Sequence, residues 1–173
     1  MKNIALIGFM GTGKTSVGKK LAQDLGYSFV DTDQEVERIT GLTVAQIFKK
    51  HGEIRFRSEE SLALKRLLKA EGQVIATGGG IVLKPENVGL LKEQTFVVAL
   101  TARPEVIYQR VETRDSRPLL KGGDLMAKII QLMEERKDAY DFADLVVDTS
   151  ELSPRMIADK IAQALREIER NQS

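Results

Sequence analysis

Residues 8–15 read Gly-Phe-Met-Gly-Thr-Gly-Lys-Thr and satisfy the pattern G-x-x-x-x-G-K-[ST] of a phosphate-binding loop. Its context is decisive. An apolar run, Asn3 to Ile7, enters the loop, and an amphipathic stretch from Lys14 leaves it. Glycines let the backbone wrap so that several N–H groups converge on phosphate oxygens, and the following helix adds its positive end. The expected contacts are Gly11, Thr12, Gly13, Lys14, Thr15 and Ser16. Lys14 would reach the β- and γ-phosphates from a solvated loop-to-helix junction, and Thr15 would offer an oxygen to Mg²⁺. A plain glycine turn does not explain pattern and context together. The loop implies nucleotide phosphate and leaves the reaction open.

The rest of the chain alternates short apolar runs with helical periodicity. Strands are expected at 3–7, 28–30, 74–76, 96–100 and 145–147. Helices are expected at 14–25, 53–70, 104–114, 125–140 and from Pro154. Thr43 and Gln46 predict a capping box for a further helix through Lys50. Arg117 to Gly123 reads as an ordered loop. Strands separated by helices imply an α/β fold, a parallel sheet with helices on both faces. A length of 173 residues suits one domain over the whole chain.

Composition narrows the class. Lys+Arg total 26 against Asp+Glu 25, a net charge of +1, so nothing electrostatic favours nucleic acid or an anionic membrane as partner. There is no cysteine and one histidine, His51, which excludes disulfides and thiolate or multi-histidine metal sites. No apolar run is long enough to span a bilayer, and the expected location is cytoplasmic. A GTPase would carry N-K-x-D and D-x-x-G sequences, which this chain lacks. A small phosphotransferase fits the length.

Such an enzyme needs a carboxylate near the metal and one near the acceptor hydroxyl. Two strands end in acids, at Asp31 and at Asp148. In an extended Asp31-Thr32-Asp33 segment the two acids point the same way and can serve one site. Alternatively Asp33 caps the next helix and Asp31 is a turn residue. Asp148 is the second metal candidate.

Several segments together resemble shikimate kinases: residues 8–15, Asp31-Thr32-Asp33, Gly52-Glu53 with Phe56-Arg57 and Glu60, Thr77-Gly78-Gly79-Gly80, Arg117-Pro118-Leu119-Leu120, and Arg136 four residues before Tyr140. The resemblance covers nearly the whole chain. It implies a three-layer P-loop fold with five parallel strands in the order 2-3-1-4-5, a helical substrate-binding region at about residues 33–61, and a mobile lid at about 112–123. It further implies transfer of the γ-phosphoryl of ATP to the 3-hydroxyl of shikimate, on the route to aromatic amino acids, with Mg²⁺. The near-neutral charge balance gives no reason to expect a protein partner, and a monomer is expected.

The resemblance also assigns roles. Arg57 and Arg136 match arginines that bind the substrate carboxylate, for which a guanidinium fork is suited. On spacing alone Arg57 reads as a helix-surface ion pair with Glu53 and Glu60, and Arg136 as a solvated helical arginine. Glu60 would orient Arg57. Asp33 matches the acid that contacts the acceptor hydroxyl, and Asp31 one that holds the metal's water shell. Gly79 and Gly80 would bring backbone N–H groups to substrate. Phe48 and Phe56 would wall the site or simply fill the core. Arg117 matches a lid residue that meets the ATP phosphates, while Arg110 and residues 150–154, with Pro154, match the surroundings of adenine. Two other readings stay in view: a kinase for another small metabolite, such as gluconate, and a non-catalytic ATP-binding module. Lys14, Thr15, Asp33 and Arg117 together argue against the latter.

Overall fold

Strand β1, Asn3–Ile7, is buried along its whole length, as a parallel strand covered on both faces must be. The computed structural model describes residues 2–112 and 123–171. In it β1 lies at the centre of a five-stranded sheet with β2 (Ser28–Asp31), β3 (Gln73–Ala76), β4 (Thr95–Thr101) and β5 (Leu145–Asp148), in the order β2-β3-β1-β4-β5. All four pairings are parallel, with Ile4 opposite Val74 and Phe96. This is the expected strand order, with strand ends within one residue of the sequence reading.

Alternation along β1 builds two cores. Ile4 and Leu6 join Val74, Val98 and Leu100 against Val17 and Leu21 of α1 (Lys14–Leu25) and Ile157 and Ile161 of α7 (Pro154–Asn171). Ala5 and Ile7 face the other way, with Leu64 of α3 (Val44–Leu67), Ile81, and Leu91 of α4 (Pro85–Gln94). Leu6, Leu21, Leu64 and Leu91 have no exposed surface, and each such side chain contributes about 1.5–3 kcal/mol by leaving water.

The helices depart from expectation where their signals are weak. Helix α2, Thr32–Thr40, is absent from the helices that periodicity predicts but falls within the helical region implied by the family resemblance; Asp31 caps its start and Gly41, at φ 69°, stops it. The acids at 31 and 33 therefore do not share an extended segment: Asp31 ends β2 and Asp33 sits in the first turn of α2. Asp31, rather than Asp33, is the cap, accepting the N–H groups of Asp33 and Gln34. Helix α4 was also missed, its glycine at 89 diluting the pattern despite Pro85 in the first turn. The Thr43–Gln46 capping box forms with both bonds present. Its helix and the next one run on as α3, which kinks at Gly52 (φ 80°, ψ 175°) and ends at Leu67. Helix α5 is Pro104–Val111. Helix α6 is Leu125–Glu135 and stops short of 140, because Arg136 leaves helical geometry (φ −110°, ψ 7°) and turns follow to Phe142. The proposed lid and Arg117 lie outside the described residues, apart from the lid's end residues, Glu112 and Gly123.

Candidate active site

The ends of β1, β2 and β3 open onto one cavity of about 810 Å³, whose wall includes residues of the phosphate loop, α2, α3 and the 77–80 loop. This is where an open parallel sheet binds ligand, outside the carboxyl ends of its strands. Every expected site residue among those described lines it: Gly11, Thr12, Gly13, Lys14, Thr15, Ser16, Asp31, Asp33, Arg57, Glu60, Gly79, Gly80, Arg110, Arg136 and Pro154. Asp148 does not. It sits at the end of β5, where Oδ1 accepts the Ser150 N–H at 2.8 Å. Hydrogen bonds from Ser150 hold its carboxyl below the usual range.

The phosphate loop is braced from within. A Cβ at Gly8, where φ is 143°, would strike the Leu100 carbonyl oxygen, so the turn out of β1 admits only glycine. Thr12 Oγ1 donates to the Phe9 carbonyl at 2.8 Å. Lys14 is buried rather than solvated, and its Nζ donates to the carbonyls of Gly8 at 2.7 Å and Phe9 at 2.9 Å. Arg110 ties the loop to the segment just after β5, donating to the Gly11 carbonyl at 3.0 Å and to the Thr149 hydroxyl and carbonyl at 3.0 and 2.9 Å. Burial pulls its guanidinium below its ordinary value, with Asp148 acting the other way. Sequence reasoning missed Thr149, a fully buried hydroxyl that donates to the Thr12 carbonyl at 2.9 Å. Nothing in its local sequence marks it.

Thr15 Oγ1 and Asp31 Oδ2 lie 3.4 Å apart on the wall of the cavity. A hydroxyl and a carboxylate oxygen are the donors a hard cation such as Mg²⁺ takes, along with waters and phosphate oxygens. The donor set thus fits that ion.

Beyond the phosphate loop lies a cationic pocket. Arg57 pairs with Glu60 at 2.9 Å and Glu53 at 3.3 Å, as helical spacing anticipates, yet the pair is no surface feature. Arg57 is 9 % exposed and Glu60 0 %. Burial pushes the Glu60 carboxyl up, while Arg57, then Arg136 and Lys84, pull it back. Arg136 is 5 % exposed, with its guanidinium 5.8 Å from the Phe9 ring centre. It is therefore neither helical nor solvated. A Cβ at Gly80 would strike the Arg57 guanidinium, so a bare Cα is needed there. Phe48 and Phe56 pack with ring centres 4.8 Å apart, serving both core and wall. Buried donors Arg57 Nε and Arg136 Nη1 have no acceptor among the described residues. Buried polar groups are nearly always paired, so an anion that supplied acceptors to both arginines would suit this pocket, which also leaves Glu60 Oε1 unmatched.

Comparison with known proteins agrees with this geometry. A family model described as shikimate kinase matches residues 10–166. A shikimate kinase of Pelotomaculum thermopropionicum is 54 % identical over 96 % of this chain and 97 % of its own, and one of Desulforudis audaxviator is 50 % identical over 96 % and 88 %. Among solved structures, a shikimate kinase from Acinetobacter baumannii in complex with shikimate superposes with a TM-score of 0.93 at 38 % identity, covering 96 % of this chain and 94 % of that one.

Proposed function

The chain belongs to the shikimate kinase family, and we propose on that premise that it transfers the γ-phosphoryl of ATP to the 3-hydroxyl of shikimate, giving shikimate 3-phosphate and ADP. It is an ATP-dependent kinase. The observation that carries the substrate is the pair of buried arginines with unmatched donors, Arg57 Nε and Arg136 Nη1, on the same cavity as a phosphate-binding loop. A carboxylate is the planar anion whose two oxygens suit guanidinium forks.

In this reading Lys14 and the N–H groups of residues 11–16 hold the ATP phosphates, with Arg110 and Pro154 at the base's end. Lys14 then exchanges its carbonyl partners for phosphate oxygens. Thr15 and Asp31 would hold Mg²⁺, which when bound neutralises phosphate charge. Arg57 and Arg136 take the shikimate carboxylate, Glu60 steadies Arg57, and Gly79 and Gly80 offer backbone N–H groups. Asp33 accepts the proton of the 3-hydroxyl as that oxygen bonds to the γ-phosphorus. The bond to the bridging oxygen breaks and the electron pair leaves on ADP. Catalysis here is mostly positioning and charge stabilisation. The enzyme acts as a single domain and a monomer in the cytoplasm, on a small-molecule substrate.

A coupled assay of ADP release with ATP, Mg²⁺ and a panel of acceptors tests the assignment. Shikimate should be turned over far faster than gluconate or AMP. Equal or faster turnover of either would overturn it.

A further inference from the structure

We propose that Tyr140 is a positioning residue for the substrate carboxylate, a single phenol tethering Arg136 to the glycine loop at 78–80. The inference rests on the reading of the cavity given above. Tyr140 is not on the cavity wall, so it acts through the residues it holds.

Its hydroxyl donates to the Gly79 carbonyl at 2.8 Å, across 61 residues of chain. The Arg136 guanidinium lies near the same oxygen and offsets part of the rise that burial gives the phenol's pKa. A phenol has one proton to give and lone pairs to accept with, and here one hydroxyl serves both partners. Each consequence falls on the pocket. The peptide group is planar and trans, so the Gly79 carbonyl and the Gly80 N–H point in opposite directions. Fixing the carbonyl toward Tyr140 therefore aims the Gly80 N–H away from it. The other flank of Gly79 lies against the backbone of Gly8, Phe9 and Met10, so the glycine loop is gripped between the phosphate loop and the phenol. Arg136 needs the tether because it stands at the end of α6 outside helical geometry, where the helix does not dictate its side-chain direction. The ring is held in turn by the core under β1 and β4, alongside Phe142 and Ala143. Tyr140 thus carries the rigidity of the sheet to one arginine of the clamp and to the glycine loop that meets the other.

The variant Tyr140→Phe retains the ring and deletes the hydroxyl. Calorimetry should show shikimate binding weakened by about tenfold, the usual effect of losing a hydrogen bond to a charged group, with ATP affinity within about twofold. In turnover the KM for shikimate should rise more than kcat falls. In an Arg136→Ala background the added Tyr140→Phe change should weaken shikimate binding by clearly less than it does in the parent, only its effect through the glycine loop remaining, because residues acting through one contact are not additive. Unchanged shikimate affinity, equal weakening of ATP, or fully multiplicative losses would overturn the proposal. Amide exchange in the ligand-free protein gives a readout without substrate: Ile81, whose N–H closes the glycine loop onto the Gly78 carbonyl at 3.1 Å, should lose protection in Tyr140→Phe. If the parent protein binds no shikimate, the substrate reading fails and this exchange alone decides. Faster exchange then supports the tether and unchanged exchange removes it.

Discussion

Arg57 Nη1 stands 2.9 Å from Glu60 Oε2, one turn further along α3, and the carboxyl it meets has no exposed surface. A buried ion pair is weak support for stability, since desolvation offsets its attraction. Its value here is directional. Glu60 holds one edge of the guanidinium, leaving Nε unmatched for a ligand. The contact to Glu53, 49 % exposed by its side chain, is screened by water and adds little.

Glu60 makes stability depend on pH. Burial above all raises its folded-state pKa over the ordinary value of a glutamate, the Arg57 contact acting the other way. The native state then binds this proton more tightly than the unfolded chain, so its contribution to stability falls as pH rises from about 4.5 toward the folded value. Glu60→Gln lacks the titration. Denaturant melts across pH should show the parent losing stability relative to Glu60→Gln over that window. A pH-independent difference would mean that the Arg57 contact cancels the burial effect.

For the clamp, Arg57→Ala or Arg136→Ala should weaken shikimate binding by about 2–5 kcal/mol, as truncating one side of a buried charge contact does, with ATP binding changed much less. Titration calorimetry of each ligand checks this. Unaltered shikimate affinity in both variants would leave Arg57 as a structural ion pair only.

Lys14→Ala should lower kcat by roughly 10²–10³-fold, the usual cost of deleting a preorganised charge-stabilising donor. The fold should survive, although the carbonyls of Gly8 and Phe9 lose a donor. Circular dichroism with a steady-state assay separates the two effects, and near-normal turnover would refute the role.

The two aspartates should separate by Mg²⁺ titration of turnover. Asp33→Asn should reduce the rate by roughly 10²–10⁴-fold if the carboxylate takes the proton. Asp31→Asn keeps a competent helix cap and should instead raise the Mg²⁺ needed for half-maximal rate, as should Thr15→Ala. The opposite pattern would exchange the roles.

Sequence alone determined the elements whose causes are local. The phosphate loop, the helix after it, the Thr43–Gln46 box and the five strands each rest on neighbours within a few residues, and each stands as read to within a residue. The likeness to a known family supplied the strand order and the list of site residues, which periodicity does not contain. Tertiary structure decided the rest. Arg57 and Arg136 look like surface arginines by spacing; only packing buries them on the wall of the cavity. Helix α6 contains no breaker at 136, and its end is set by Arg136 turning into the cavity while Tyr140 reaches Gly79, 61 residues away. Thr149 likewise gains its Thr12 partner, 137 residues away, through the crossing of loops at the ends of the strands. Such contacts join residues far apart in sequence, and their energy depends on burial that no local pattern encodes.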